Sequence, residues 1–294
     1  MLTQRTFKWM GLLYISPKLA HCMISRLLVP VDFSDGSRAA LAYAEAMAAH
    51  LNLTSVHLIH VFTPQTASGD ALTLAPVGEL MDEREEQLKT FAAERPTAGI
   101  RRRSELLLGF AADKIVEASK AYDLVVMGAS GETDFLEEVF GSISSEVAQQ
   151  AHCPVLLVPT RATFSDYRHI LYASSDLSLS RRSVLQLMDF NELFRARIHF
   201  VHVNEDGEKD RLEREKLFAP LFNNPDPDFA FEIVEVTDST VRDGLVHYVE
   251  KNPVNLAVMV TKQRGFWGRL FHHSDTKQMV LSPALPLLIL HEND

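Results

Sequence analysis

The residues with the clearest chemical logic lie in one stretch, Gly128-Ala-Ser130-Gly131-Glu-Thr-Asp-Phe-Leu-Glu-Glu-Val-Phe-Gly141-Ser142-Ile143-Ser144. Gly128 and Gly131 carry no Cβ, so the backbone can turn sharply there and approach a ligand closely. Gly141-Ser142 opens a predicted helix. The first turn of a helix presents N–H groups without intrahelical partners and about half a positive charge, which suits a phosphate. The hydroxyls of Ser142 and Ser144 add donors. The stretch is not a Walker loop, because no Gly-Lys-Ser/Thr is present. A tight turn followed by an N-capping serine would explain two glycines alone. The position of the stretch, after an apolar run and before a helix, favours phosphate chemistry.

A second candidate is Asp32, in Val29-Pro30-Val31-Asp32-Phe33-Ser34. It reads either as a ligand-facing carboxylate or as the acid often found at a helix start. Other candidates carry less. His60 and His202 occupy matching places in two apolar runs and read as packed core residues. Arg101-Arg102-Arg103 reads as a solvated face. Phe266, Trp267 and Phe271, beside Arg264 and Arg269, form either a recognition loop or a cover over a sheet end. The two cysteines, Cys22 and Cys153, offer neither metal spacing nor a disulfide framework, so a reducing compartment is the default.

These residues must be positioned by a regular alternation of strands and helices. Strand Leu27–Val31 precedes helix Gly36–Leu51, and strand Val56–Val61 precedes helix Glu79–Arg95. Strand Arg102–Leu107 precedes helix Ala111–Ala121. Strand Leu124–Met127 leads through the glycine stretch to helix Ser142–His152, and Val155–Val158 closes the series. Alternating β and α units predict a parallel sheet with helices on both faces. In such a sheet ligands sit outside the carboxyl ends of the strands, where strand order reverses. That rule singles out the loops after the first and fourth strands.

The chain then repeats. Asp123-Leu-Val-Val-Met127 corresponds to Asn255-Leu-Ala-Val-Met259, and Pro154-Val-Leu-Leu-Val158 to Pro286-Leu-Leu-Ile-Leu290, at one constant offset. His57-Leu-Ile-His-Val61 resembles His199-Phe-Val-His-Val203, and Asp32 precedes Leu41 as Asp176 precedes Leu185. Strands are predicted near 169–173, 197–203, 230–236, 255–260 and 286–290. The expected architecture is α/β, with two consecutive doubly wound five-stranded parallel-sheet domains, 23–160 and 166–294, joined by a short polar linker. Residues 1–22 read as a disordered extension rather than a signal peptide, since Pro17 and Lys18 cut off the apolar patch and no small-residue cleavage site follows. Met23 would make a natural start.

At this point the chain resembles the universal stress protein family, over nearly everything from Met23 onward, as two copies. Gly128, Gly131, Gly141 and Ser142 match the family's ATP-binding signature, G-x2-G-x9-G-S/T, and Val29–Ser34 resembles its opening strand. The resemblance implies an adenine-nucleotide site of Pro30, Val31, Asp32, Val61, Met127, Gly128, Ser130, Gly131, Gly141, Ser142, Ile143 and Ser144. Asp32 would accept hydrogen bonds from ribose hydroxyls, and Val61 would help hold the adenosine. It also implies that the final strands, Val155–Val158 and Leu287–Leu290, pair edge to edge as a pseudo-dimer, or that a homodimer forms; either would cover exposed apolar edges.

One departure stands out: the loop between the glycines holds Glu132, Asp134, Glu137 and Glu138, where the family more often has basic or neutral residues. Like charges 4 Å apart repel by about 1 kcal/mol in water and about 4 kcal/mol at a surface-like dielectric. Acids facing a triphosphate would make Mg2+ necessary; acids facing water would not. The water-facing arrangement is the simpler expectation, since unpaired acids stay hydrated.

In the second copy Val260, Gln263 and His273 stand where the first has Gly128, Gly131 and Gly141, and only Ser274 is retained, opposite Ser142. One nucleotide per chain is therefore expected, with the basic, aromatic loop Thr261–His273 suited to protein contact or domain packing. The expected function is an ATP-binding stress-response or regulatory module without fast catalysis. The alternatives are an interaction scaffold that binds no nucleotide and a slow adenine-nucleotide hydrolase. No nucleophile elbow, HExxH or pyrophosphate loop supports an enzyme. A net charge of −10 argues against nucleic acid and anionic membranes as partners, and no apolar run is long enough to span a bilayer, so a cytoplasmic location is expected.

Overall fold

The computed structural model describes residues 24–64, 77–129, 141–174, 181–205, 229–262 and 284–292. They form two compact units divided between Phe164 and Ser165. The first contains β1 (Leu27–Pro30), α1 (Asp35–His50), β2 (Ser55–Phe62), α2 (Val77–Ala93), β3 (Arg101–Leu108), α3 (Ala111–Ser119), β4 (Leu124–Gly128), α4 (Ser142–Gln150) and β5 (Val155–Val158). Its strands run parallel in the order β3-β2-β1-β4-β5. The second contains β6 (His169–Ser174), α5 (Arg181–Glu192), β7 (Arg197–Glu205), β8 (Phe231–Asp238), α6 (Val241–Lys251), β9 (Leu256–Lys262) and β10 (Leu287–Glu292). Its order is β10-β9-β6-β7-β8, also parallel. Both units are thus doubly wound α/β sheets, with the repeat legible strand for strand.

The central strands are apolar without alternation because helices cover both faces. Leu27, Leu28, Val29, Leu124, Val125, Val126 and Val155–Val158 are all fully buried. At the outer edge of the first sheet, β3 is mostly exposed and opens on three arginines, which discourages further strand pairing. The three are not uniformly solvated. The Arg102 guanidinium lies beneath the surface, with Nε 2.5 Å from Oε1 of Glu45 and Nη2 2.9 Å from Oε2. It also donates to the carbonyls of Ala92, Glu94 and Arg95, and Thr97 Oγ1 donates to Glu45 Oε2 at 2.7 Å. The strand start is thereby locked to α1 and to the end of α2. Strand alternation turns Arg102 inward while Arg101 stays outside.

The chain near Phe164 is more than a polar linker. Phe164 packs edge-on against Tyr43 at 5.4 Å, within the first unit, and Tyr167 packs against Phe194 at 4.6 Å, within the second.

Each repeated fourth strand is tied to the start of the first by the residue that precedes it. Asp123 Oδ2 accepts from the backbone N–H of Ser25 (3.0 Å) and Arg26 (2.9 Å). Asn255 Oδ1 accepts from the N–H of Arg168 (3.2 Å) and His169 (3.1 Å). Beside each tie is a histidine on the second strand. His57 Nδ1 lies 2.8 Å from the hydroxyl of Tyr122. His199 Nδ1 lies 2.7 Å from the hydroxyl of Tyr248 and 2.6 Å from Oε1 of Glu232, while its Nε2 lies 2.9 Å from His169 Nδ1.

No helix among the described residues is long and apolar enough to cross a membrane.

Candidate functional site

In the first sheet β1 lies between β2 and β4, so the chain leaves β1 toward one neighbour and reaches the other only later. This is the topological switch point, and the loops after β1 and β4 flank it. The sequence-derived candidates sit on those two loops and on the end of β2.

On the β1 side, Pro30 ends the strand, and the Val31 N–H still donates to the Ile59 carbonyl at 2.8 Å. Asp32 follows, half-buried. Its Oδ1 accepts from the Ser34 N–H at 3.1 Å and from the Ser34 hydroxyl at 2.5 Å. Ser34 in turn caps α1 by accepting from the Ser37 N–H at 3.1 Å. Asp32 therefore does part of the work of a helix-start acid, at the carboxyl end of β1. Val61 lies near the end of β2, paired with Leu107.

On the β4 side, Met127 is buried and Gly128 ends the strand opposite Val158. The Ala129 N–H donates to the Val158 carbonyl at 3.0 Å, and the Gly141 N–H donates to the Ala129 carbonyl at 2.9 Å, which draws the two ends of the loop together. Ser130 and Gly131 lie outside the described residues, as do Glu132, Asp134, Glu137 and Glu138.

Gly141 is the N-cap of α4, with φ −63° and ψ 158°. Any residue can adopt those angles, so glycine is not there for its conformational freedom. What it provides is a helix start without a side-chain acceptor: no side chain caps α4, whereas Ser34 caps α1 and Thr240 caps α6. α3, which starts after Phe110, also lacks a side-chain cap but stands away from the switch point, after the edge strand. Ser142 is exposed, and Ile143 presents 44% of its surface. Ser144 departs from the reading that its hydroxyl donates to a ligand. It is buried, with Oγ 2.7 Å from the Ala129 carbonyl and 2.9 Å from that of Gly141, so its proton is engaged in bracing the mouth of the loop.

Two features escaped the sequence reading. Phe33 has φ 66°, the left-handed region that a bulky side chain rarely enters. Its ring lies 4.3 Å from the His60 ring and 5.6 Å from that of Phe91, and its carbonyl accepts from Arg38 Nη1. His60 is more than core packing: its Nδ1 lies 2.7 Å from the Val31 carbonyl. Burial pushes the His60 pKa down, the Val31 carbonyl and Asp32 oppose this, and Arg84 adds to it; the net effect is downward, keeping the ring neutral at pH 7. The only sequence signal was the histidine's place just before Val61.

The second unit differs at the matching position. β4 stops at Gly128, but β9 continues through Val260, Thr261 and Lys262, paired with Leu290, His291 and Glu292. β-branched Val260 and Thr261 favour extended backbone. Asp176, Gln263, His273 and Ser274 lie outside the described residues, as do Phe266, Trp267 and Phe271 with Arg264 and Arg269. Among the described residues, no group of three or more His, Cys, Asp or Glu is placed to hold a metal ion.

Comparison with known proteins agrees with this layout. Residues 23–159 match the model of the universal stress protein family. A universal stress protein of Methanocaldococcus jannaschii is 32% identical over 143 residues, covering 46% of this chain and 82% of that protein. Another from the same organism is 24% identical over 155 residues, covering 46% of this chain and 95% of that protein. The solved structure of a universal stress protein from Archaeoglobus fulgidus covers 93% of this chain and 98% of its own, with 19% identity and a TM-score of 0.69, a likeness of fold. The family match spans the glycine stretch and the switch-point loops, and with it the chain belongs to the universal stress protein family.

Proposed function

We propose that the first unit binds one Mg-ATP at the switch point and that the chain acts as a regulatory or stress-response module without fast catalysis. The observation that carries this is the start of α4. Its first-turn amides have no capping side chain, and they stand beside the end of β4, across from the Asp32 loop. A phosphate there would meet the positive end of the helix and serve as its missing cap. In this reading Asp32 accepts from ribose hydroxyls, and Val61 and Met127 offer apolar contact. Mg2+ would be held mainly by the phosphates, as is usual for nucleotide sites.

Titration calorimetry with Mg-ATP on the wild type and on Gly141→Asp tests the assignment. Asp is a better N-cap than Gly by roughly a few tenths of a kcal/mol, but Gly141 is buried, so the melting curve of the variant is recorded beside the titration to show that it folds. Its carboxylate would occupy the phosphate position, and binding should vanish. Unchanged affinity would rule the site out. Removing the Ser142 hydroxyl should weaken binding by about 1.5–3 kcal/mol, the range for hydrogen bonds to charged groups. The 260/280 nm absorbance ratio of the purified protein, with mass analysis of any released ligand, separates this reading from an empty scaffold; turnover far above background would favour a hydrolase.

A further inference from the structure

We propose that His60 is a positioning residue that holds Asp32 toward the nucleotide by gripping the backbone on both sides of it; this rests on the nucleotide reading of the site. Before Asp32, the Val31 carbonyl has left the strand ladder and meets His60 Nδ1 at 2.7 Å. After Asp32, Phe33 takes φ 66° and lays its ring 4.3 Å from the same imidazole. A non-glycine residue persists in that region only where its surroundings over-determine it. Here those surroundings are His60, Phe91 at 5.6 Å and the Arg38 guanidinium, which donates to the Phe33 carbonyl and lies 5.2 Å above the Phe91 ring.

Arg38 is itself held by Glu94 at the end of α2, at 3.1 Å. The short turn Val31–Phe33 is therefore fixed at each end, and Asp32 has little freedom to swing. The grip requires Nδ1 to carry the proton, because a carbonyl can only accept. Neutral imidazole in water favours the other tautomer only weakly, so a bond to a carbonyl is enough to select this one. A carboxylate held in advance loses less freedom on binding, which strengthens the complex without a new contact.

Two variants separate the two halves of the grip. His60→Asn keeps a donor near the Nδ1 position and loses the ring; His60→Phe keeps a ring against Phe33 and loses the donor. Mg-ATP affinity is measured for each in the Asp32 and Asp32→Ala backgrounds. His60→Phe should weaken binding about tenfold when Asp32 is present and less than about twofold when it is absent. His60→Asn should fall between wild type and His60→Phe. Equal losses in both backgrounds, or no loss, would reduce His60 to a packing residue and overturn the proposal.

A second measurement needs no nucleotide, so it stands even if the wild type binds no ATP. In the ligand-free chain, His60→Phe should speed amide exchange in Asp32–Ser34 by about tenfold, leaving β9 and β10 unchanged. The Nδ1–H tautomer should also appear in the nitrogen shifts of His60. Unaltered exchange with an Nε2–H tautomer would refute the grip whatever the chain binds.

Discussion

The two units solve the same structural problems with different chemistry. Asp123 and Asn255 hold the same place and accept from the same pair of backbone amides at the start of a first strand. Asp123 adds a charge, joined at 3.1 Å by Arg26, whereas Asn255 adds a donor, given to the Asp166 carbonyl at 2.8 Å. At the start of the edge strand, Val56 pairs with Arg102, which is locked to Glu45; the matching pair in the second unit is Ile198 and Phe231, and Phe231 packs at 6.2 Å from Phe200. A buried arginine held by an ion pair and a ring of an aromatic pair thus hold the same register position. The scaffold tolerates such exchanges where a filled space or an accepted hydrogen bond is all that is needed. At the end of the fourth strand the exchange alters the element itself: β4 ends at Gly128, whereas β9 runs on through Val260 to Lys262.

The largest expected effect concerns the ligand. A titration of the whole chain should give one Mg-ATP site, and Gly141→Asp should leave none. Two equivalent sites in the wild type would erase the distinction between the units.

Next comes the buried pair. Arg102→Met would leave Glu45 without its guanidinium, and such unpaired buried charges cost about 3–5 kcal/mol. Exchange protection should fall across the first unit and hold in the second. If the double change Glu45→Met with Arg102→Met recovers most of the stability, the pair serves placement more than net stabilisation.

Acid should divide the units in the other direction. His199 is driven down to about 4 by burial first, then by His169 and Arg197, with Tyr248 also against its Nδ1; the Glu232 carboxylate, 2.6 Å from Nδ1, pulls the other way and burial prevails. The unfolded chain takes up a proton near pH 6.5 and the folded chain does not. Stability of the second unit therefore falls as pH drops from about 6.5 to about 4, by roughly 2–3 kcal/mol. His57 and His60, in the first unit, shift the same way, each through burial first, without the large displacement of His199. Asp123 behaves oppositely. Burial raises its pKa, but hydrogen bonds from Ser25 and Arg26 outweigh this and hold it below the usual carboxylate value. Its contribution persists above the unfolded pKa and is lost only in stronger acid. Exchange at pH 4.5 should thus show β7 and α6 opening before β1 and β4; simultaneous opening would contradict this assignment.

The smallest effect is local to the second unit. A Cβ on Gly244 would lie 2.6 Å and 3.0 Å from the two Val203 methyls and 3.3 Å from the Asp238 Cβ. Gly244→Ala should lower the melting temperature despite alanine's better helix propensity, since overpacking costs about 1–3 kcal/mol against a gain of about 1. A rise would mean that β7 yields easily to α6.

The alternation of strands and helices was legible because fully buried parallel strands leave unbroken apolar runs, such as Leu124–Met127, and because the repeat supplied each twice. Boundaries moved by a residue or two at most ends; α2 begins and ends two residues earlier than expected. The side-chain partners were not legible. Nothing in Arg101-Arg102-Arg103 says that the middle one finds Glu45, distant in sequence, or that Ser144 turns its hydroxyl back to Ala129 rather than outward. His60 was misjudged for a related reason: its partner is a backbone carbonyl, which sequence patterns do not reveal. The conformation of Phe33 depends on three side chains from three separate elements, and no local pattern announces it.

The bare start of α4 would make that helix a gauge of the proposed nucleotide. If the acceptor that Gly141 lacks comes from outside, the order of the first turn would rise and fall with occupancy, and concentration would set the reading. At a nucleotide level about a hundred times the dissociation constant, linkage adds about 2.7 kcal/mol to the folded state. A cell in which that level drops would present the same chain with a looser α4, without any chemical change to the protein.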